Sequence, residues 1–104
     1  MDLDSDNSLA AEIRQEMAET YFAACKKMVA SLEALKVFDF AIASSTLNNE
    51  QTTRRTELLE EARERVFFVV IQREAMNFSC IAEFFKDYEI PEEVRTRLGP
   101  RGQK

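Results

Sequence analysis

The chain contains no histidine and only two cysteines, and this removes most of the chemistry open to a small protein. Without imidazole there is no ordinary general base near neutral pH, no Ser-His-Asp relay, and none of the commonest metal ligand. Cys25 and Cys80 are not in CxxC spacing, so they do not make half of a zinc site. On a helical hairpin they fall near the middle and near one end, too far apart for a disulfide within one chain. They read as buried or half-buried thiols, the usual state of cysteine. Carboxylates are plentiful, with Glu57, Glu60, Glu61 and Glu64 on one stretch. A di-iron bundle would need Glu-x-x-His on its helices, so these acids read as a solvated face pairing locally with Arg63. No glycine lies between Asp2 and Ile90, so no phosphate-cradling loop can be built there. The expectation is a protein with no catalytic residues, no cofactor and no metal.

Two other groups of residues stand out. Gln72-Arg73-Glu74 follows directly on an apolar run. Arg73 falls on the inward stripe of its helix, and a hairpin places it near Glu16, Glu19 and Tyr21. A partly buried ion pair of Arg73 with Glu16 or Glu19, fixing helix register, is its expected role. Residues 81–98, IAEFFKDYEIPEEVRTRL, have the outline of a helix–turn–helix. The second helix would open Pro-Glu-Glu, and acids at the leading end repel phosphates. Only Arg95 and Arg97 remain to contact a nucleic-acid backbone, with Arg101 and Lys104 behind them.

The elements that carry these residues follow from hydrophobic spacing. Glu57–Asn77, ELLEEARERVFFVVIQREAMN, begins amphipathic and becomes apolar on every side from Val66 to Ile71. Such a helix has to be covered by others. Before it, apolar residues recur at Leu9, Ile13, Met17, Tyr21, Ala24, Met28, Leu32, Leu35, Phe38 and Ile42, close to the 3.6-residue period of a helix. This predicts a first helix over Leu9–Ser44 with Ser8 as its N-cap. A turn follows at SSTLNNEQ, with Asn48 and Gln51 as an imperfect capping box, and a second helix runs from about Glu50 to Met76. Its inner stripe is Leu59, Ala62, Val66, Val69 or Val70, and Arg73; its outer face carries Arg55, Glu60, Glu61, Arg63 and Glu64. Cys80–Asp87 predicts a short third helix with an aromatic face. Pro91 opens a fourth at its first position, ended by Gly99-Pro100.

The chain is thus expected to be a single all-α domain over 1–104, with flexible ends at 1–8 and 100–104. Its centre is a long antiparallel hairpin about a turn near residue 47, with Val66–Ile71 opposite Ala23–Met28. Helices of roughly 54 and 40 Å do not fit a compact globule of this length, whose radius of gyration is about 13 Å. Either the first helix kinks, or two chains complete a bundle. The short C-terminal helices can cap only one end of the hairpin. The side chains expected to meet across a two-fold axis are Phe22, Val29, Phe40 and Phe67.

A net charge of −5 makes nucleic acid a poor partner for the molecule as a whole. The longest apolar run, Val66–Ile71, is far too short to span a bilayer, and the acidic N-terminus is unlike a secretory signal. A cytoplasmic location is expected.

The order Ala62-Arg-Glu-Arg-Val-Phe-Phe-Val-Val-Ile-Gln72-Arg73-Glu74-Ala75, followed by Asp87-Tyr88, Ile90-Pro91, Val94, Arg97 and Gly99, resembles a family of small uncharacterised bacterial proteins. The resemblance covers Leu58 to Gly99 and departs from the pattern at Met76-Asn77, where small residues or glycine are expected. It implies a bacterial helical domain and no mechanism. The expected function is therefore a non-enzymatic helical protein–protein interaction module working as a homodimer. The competing expectation is a small DNA-binding regulator using residues 81–98.

Overall fold

A computed structural model describes residues 3–43, 45–78 and 80–98. The end at 100–104, Met1 and Asp2, and the expected helix end at Ser44 lie outside them. The described residues form four helices: α1 (Leu3–Ala41), α2 (Asn49–Ala75), α3 (Ile81–Asp87) and α4 (Glu92–Arg95). Among the described residues there is no strand. α1 is one uninterrupted helix of 39 residues, about 58 Å at the standard rise. It begins six residues earlier than expected, so Ser8 lies inside it and is not its cap. The acidic opening of the chain suits the positive end of a helix dipole.

The turn into α2 is held by a complete capping box. The Asn48 side chain accepts from the Gln51 amide at 2.8 Å, and the Gln51 side chain accepts from the Asn48 amide at 3.0 Å. Two interhelical contacts give the hairpin register: Arg73 with Tyr21, and Arg55 with Asp39. Both pairs are centred on residue 47, so α1 and α2 run antiparallel in the expected alignment. Met28, Ala62, Val66 and Val69 are fully excluded from solvent along the seam.

The C-terminal helices do not cap one end. They run back along one side of the hairpin, from Phe84 beside Arg73 to Glu93 beside Arg55. The reason is apolar: Phe84, Ile90 and Val94 are buried in the main core. Their path depends on two tight reversals made without glycine. After α2, Asn77 has φ 59°, with Phe78 N–H bonded to Arg73 C=O and Asn77 N–H to Glu74 C=O. After α3, Glu89 has φ 50°, with Ile90 N–H bonded to Phe85 C=O and Glu89 N–H to Lys86 C=O. Both are the paired 6→1 and 5→2 bonds of a Schellman turn. Pro91 sits one residue before α4, as its N-cap.

The hairpin is uneven in length. With the register centred on 47, α2 is exhausted opposite residue 19 of α1. Everything in α1 before that point projects beyond its partner. The molecule measures 68 × 25 × 24 Å with a radius of gyration of 17.8 Å, well above the value of about 13 Å for a compact chain of this size.

Candidate functional site

The most elaborate polar construction is centred on Arg55. Its guanidinium bonds both carboxylate oxygens of Asp39 on α1, at 2.9 and 3.1 Å. It also bonds both oxygens of Glu93 on α4, each at 2.9 Å. One planar fork thus ties three helices together bidentately, the geometry that arginine provides and lysine does not. The hydrogen bonds from Arg55 hold the Glu93 carboxyl below the usual range, and the bonds to Glu93 and Asp39 keep Arg55 firmly protonated. About two helical turns on from Arg55, the Arg63 guanidinium donates to the Glu93 carbonyl at 2.9 Å. α4 is therefore clamped to α2 at two positions.

Sequence reasoning placed Arg55 and Arg63 on a solvated outer face, and the structure corrects this. Arg55 is a quarter exposed. Two signals were available. Arg55 lies four residues before Leu59, on the inner stripe extended by one turn, and it mirrors Asp39 about the turn.

Arg73 takes the inward position expected of it. Its Nη1 donates to the Tyr21 hydroxyl at 3.0 Å, and the guanidinium lies 4.8 Å from the ring centre of Phe84 and 5.4 Å from that of Phe78. Aromatic faces favour a cation that has left water. Glu16 and Glu19 stand on the exposed stretch of α1 nearby, and Glu19 accepts from Gln15 on its own helix at 3.1 Å. Cys25 is buried next to Tyr21 and Tyr88, while Cys80 is exposed; both are free thiols. Burial pushes both phenols upward, with the Cys25 neighbour adding to it. These groups brace the junction of α1, α2 and α3.

A groove of about 410 Å³ runs between α1 and the α3–α4 turn, past Val29, Lys36, Tyr88 and Pro91. Of its charged members, Asp39, Arg55 and Glu93 are occupied with one another, while Glu33, Lys36, Asp87 and Glu89 also line it. Among the described residues, no group of three or more cysteine and acidic side chains is placed to hold a metal. No helix among them is long and apolar enough to cross a membrane.

The expected interface residues are distributed as follows. Phe22, Val29 and Phe40 share one side of α1, at spacings of seven and eleven residues, close to whole turns. They are 68%, 47% and 85% exposed. Phe67 is on α2 and half-buried, one turn beyond Arg63. The expectation did not single out the projecting part of α1 as a surface: Leu9, Ile13 and Met17 continue the core stripe but are exposed. Comparison with protein-family models, curated proteins and solved structures finds no match to this chain.

Proposed function

We propose that this protein is a bacterial, non-enzymatic helical interaction module, acting in the cytoplasm as a homodimer. The observation that carries the reading is the apolar surface left exposed on α1, with Leu9 and Val37 on one side and Phe22 and Phe40 on another, all more than half exposed. Large apolar side chains left exposed in such number mark an interaction site. The Arg55 cluster supports the same reading, because its charged groups are spent on joining helices.

The regulator reading of 81–98 draws nothing from this geometry. α4 is four residues long, opens on Glu92 and Glu93, and turns Val94 into the core; Arg95 lies against Phe85. The deciding experiment is light scattering coupled to gel filtration. The proposal expects about twice the 12.0 kDa chain mass at micromolar concentration. A mass of one chain that does not change on concentration overturns it. Binding to mixed DNA at low salt, where non-specific affinity is strongest, would favour the regulator instead.

A further inference from the structure

We propose that the second copy docks antiparallel along one exposed face of α1, in a fixed register that pairs residues whose numbers sum to 43. The inference rests on the homodimer reading above and adds to it which face is used and how the chains align.

From Leu9 to Val37 an exposed row advances along α1 in alternating steps of four and three residues. That is the spacing of a two-helix seam, with Glu16, Thr20 and Lys27 as its polar members. Its first residues, Leu9 and Ile13, also continue the stripe that α2 covers further along, and from Glu16 onward the row runs beside that stripe. The row is large and acidic in its first half, and small and basic in its second. An antiparallel copy therefore meets its complement. Leu9 faces Ala34, Ile13 faces Ala30, Glu16 faces Lys27, and Thr20 faces Ala23, each pair occurring twice about the two-fold axis. All eight residues are exposed in the single chain. Leucine and isoleucine opposite alanine is the size matching that close packing requires. A helix presenting alanines also lets its partner approach to the short end of the usual 8–10 Å range. Flanking the row, where the numbers of neighbouring residues sum to 45, Glu19 comes beside Lys26, a second favourable pair. Glu12 comes opposite Glu33, the one like-charge pair, at a small cost for exposed groups.

The hairpin prepares room for this partner. Away from α3 and α4, two open grooves lie between the helices. One, of about 320 Å³, is bordered by Ala23 and Lys27 of α1 and by Arg65 and Phe68 of α2. The next is bordered by Ala30 and Ala34 of α1 and by Arg54 and Leu58 of α2. In the proposed register the projecting segment of one copy, with Ile13 at its centre, runs along these grooves of the other. The stretch of α1 that its own α2 fails to reach is thus covered by the partner. Phe22, Val29 and Phe40 lie on another side of α1 and are not needed for this contact.

Charge exchange tests the register. Glu16→Lys sets lysine against Lys27, and Lys27→Glu sets glutamate against Glu16; each is expected to raise the dimer dissociation constant about tenfold, roughly 1.4 kcal/mol. The double variant Glu16→Lys with Lys27→Glu restores the opposite-charge pairs and is expected to return to the wild-type value. Ala30→Glu is expected to give monomers with unchanged helical circular dichroism, because Ala30 is exposed within one chain. Phe40→Glu is expected to leave the dimer intact. If the single charge variants weaken the dimer and the double does not recover it, the register is wrong. If Ala30→Glu stays dimeric, or Phe40→Glu is monomeric, the face is wrong although self-association stands. A monomeric wild type overturns the homodimer reading itself, and this inference with it.

Discussion

The two halves of α1 carry the same apolar stripe and meet opposite fates. From Tyr21 to Leu35 the stripe is buried, with Met28 fully excluded from solvent. From Leu9 to Met17 it continues in phase, yet Leu9 is 57% and Ile13 50% exposed. Nothing in the local residues distinguishes them. The difference is that α2 ends at Ala75 and so has nothing to lay against the first half. An amphipathic stripe reports that a helix needs a partner; where that partner comes from depends on the length of its neighbour.

The sharpest way to measure this contrast is by truncation on either side of it. Phe84→Ala removes a ring that packs in the core and lies over Arg73, and should cost about 3–5 kcal/mol in urea melts. Leu9→Ala, of the same apolar class, should cost less than about 0.5 kcal/mol in dilute solution. Equal costs would mean that the projecting half is covered within a single chain.

The Arg55 clamp offers a second test, because it belongs wholly to the covered half. Arg55→Ala leaves Asp39 and Glu93 facing each other without a cation and should cost about 1–3 kcal/mol at neutral pH. The pH dependence has a definite sign. Arg55 lowers the Glu93 carboxyl, so the carboxylate contributes stability above the ordinary glutamate value of about 4.3. That contribution is lost as pH falls through the lowered native value. The cost of Glu93→Gln, measured by urea melts at pH 7 and again near pH 3, should therefore be smaller in acid. A cost that does not change with pH would show that the clamp is held by shape and not by charge.

Much of the covered half is legible in the sequence, and the reasons are local. Spacing marks α1 and α2, Asn48 with Gln51 marks the turn between them, and the turn position predicts that Tyr21 meets Arg73. The path of α3 and α4 is less legible, because it depends on Asn77 and Glu89 adopting left-handed conformations where glycine is the usual signal. Arg55 and Arg63 are less legible for another reason: a charged residue on a helix is ordinarily solvated, and these two are partly covered through Asp39 of α1 and Glu93 of α4. The projecting segment was illegible because its exposure is a property of α2's length. The Glu89 turn gives the smallest test. Glu89→Gly relieves a left-handed non-glycine residue and should stabilise the fold by about 0.5–1 kcal/mol. A loss of stability there would show that the α3–α4 reversal is held by the side chain.

The central claim is that residues 9–20 of α1 are uncovered in one chain and covered by a second. Amide hydrogen exchange resolved by residue, recorded across a dilution series, addresses it directly. Protection of residues 9–20 should fall as the protein is diluted below its dimerisation range, while Leu58–Val69 in α2 stays protected throughout. Protection of residues 9–20 that equals that of α2 and does not change with concentration would contradict it.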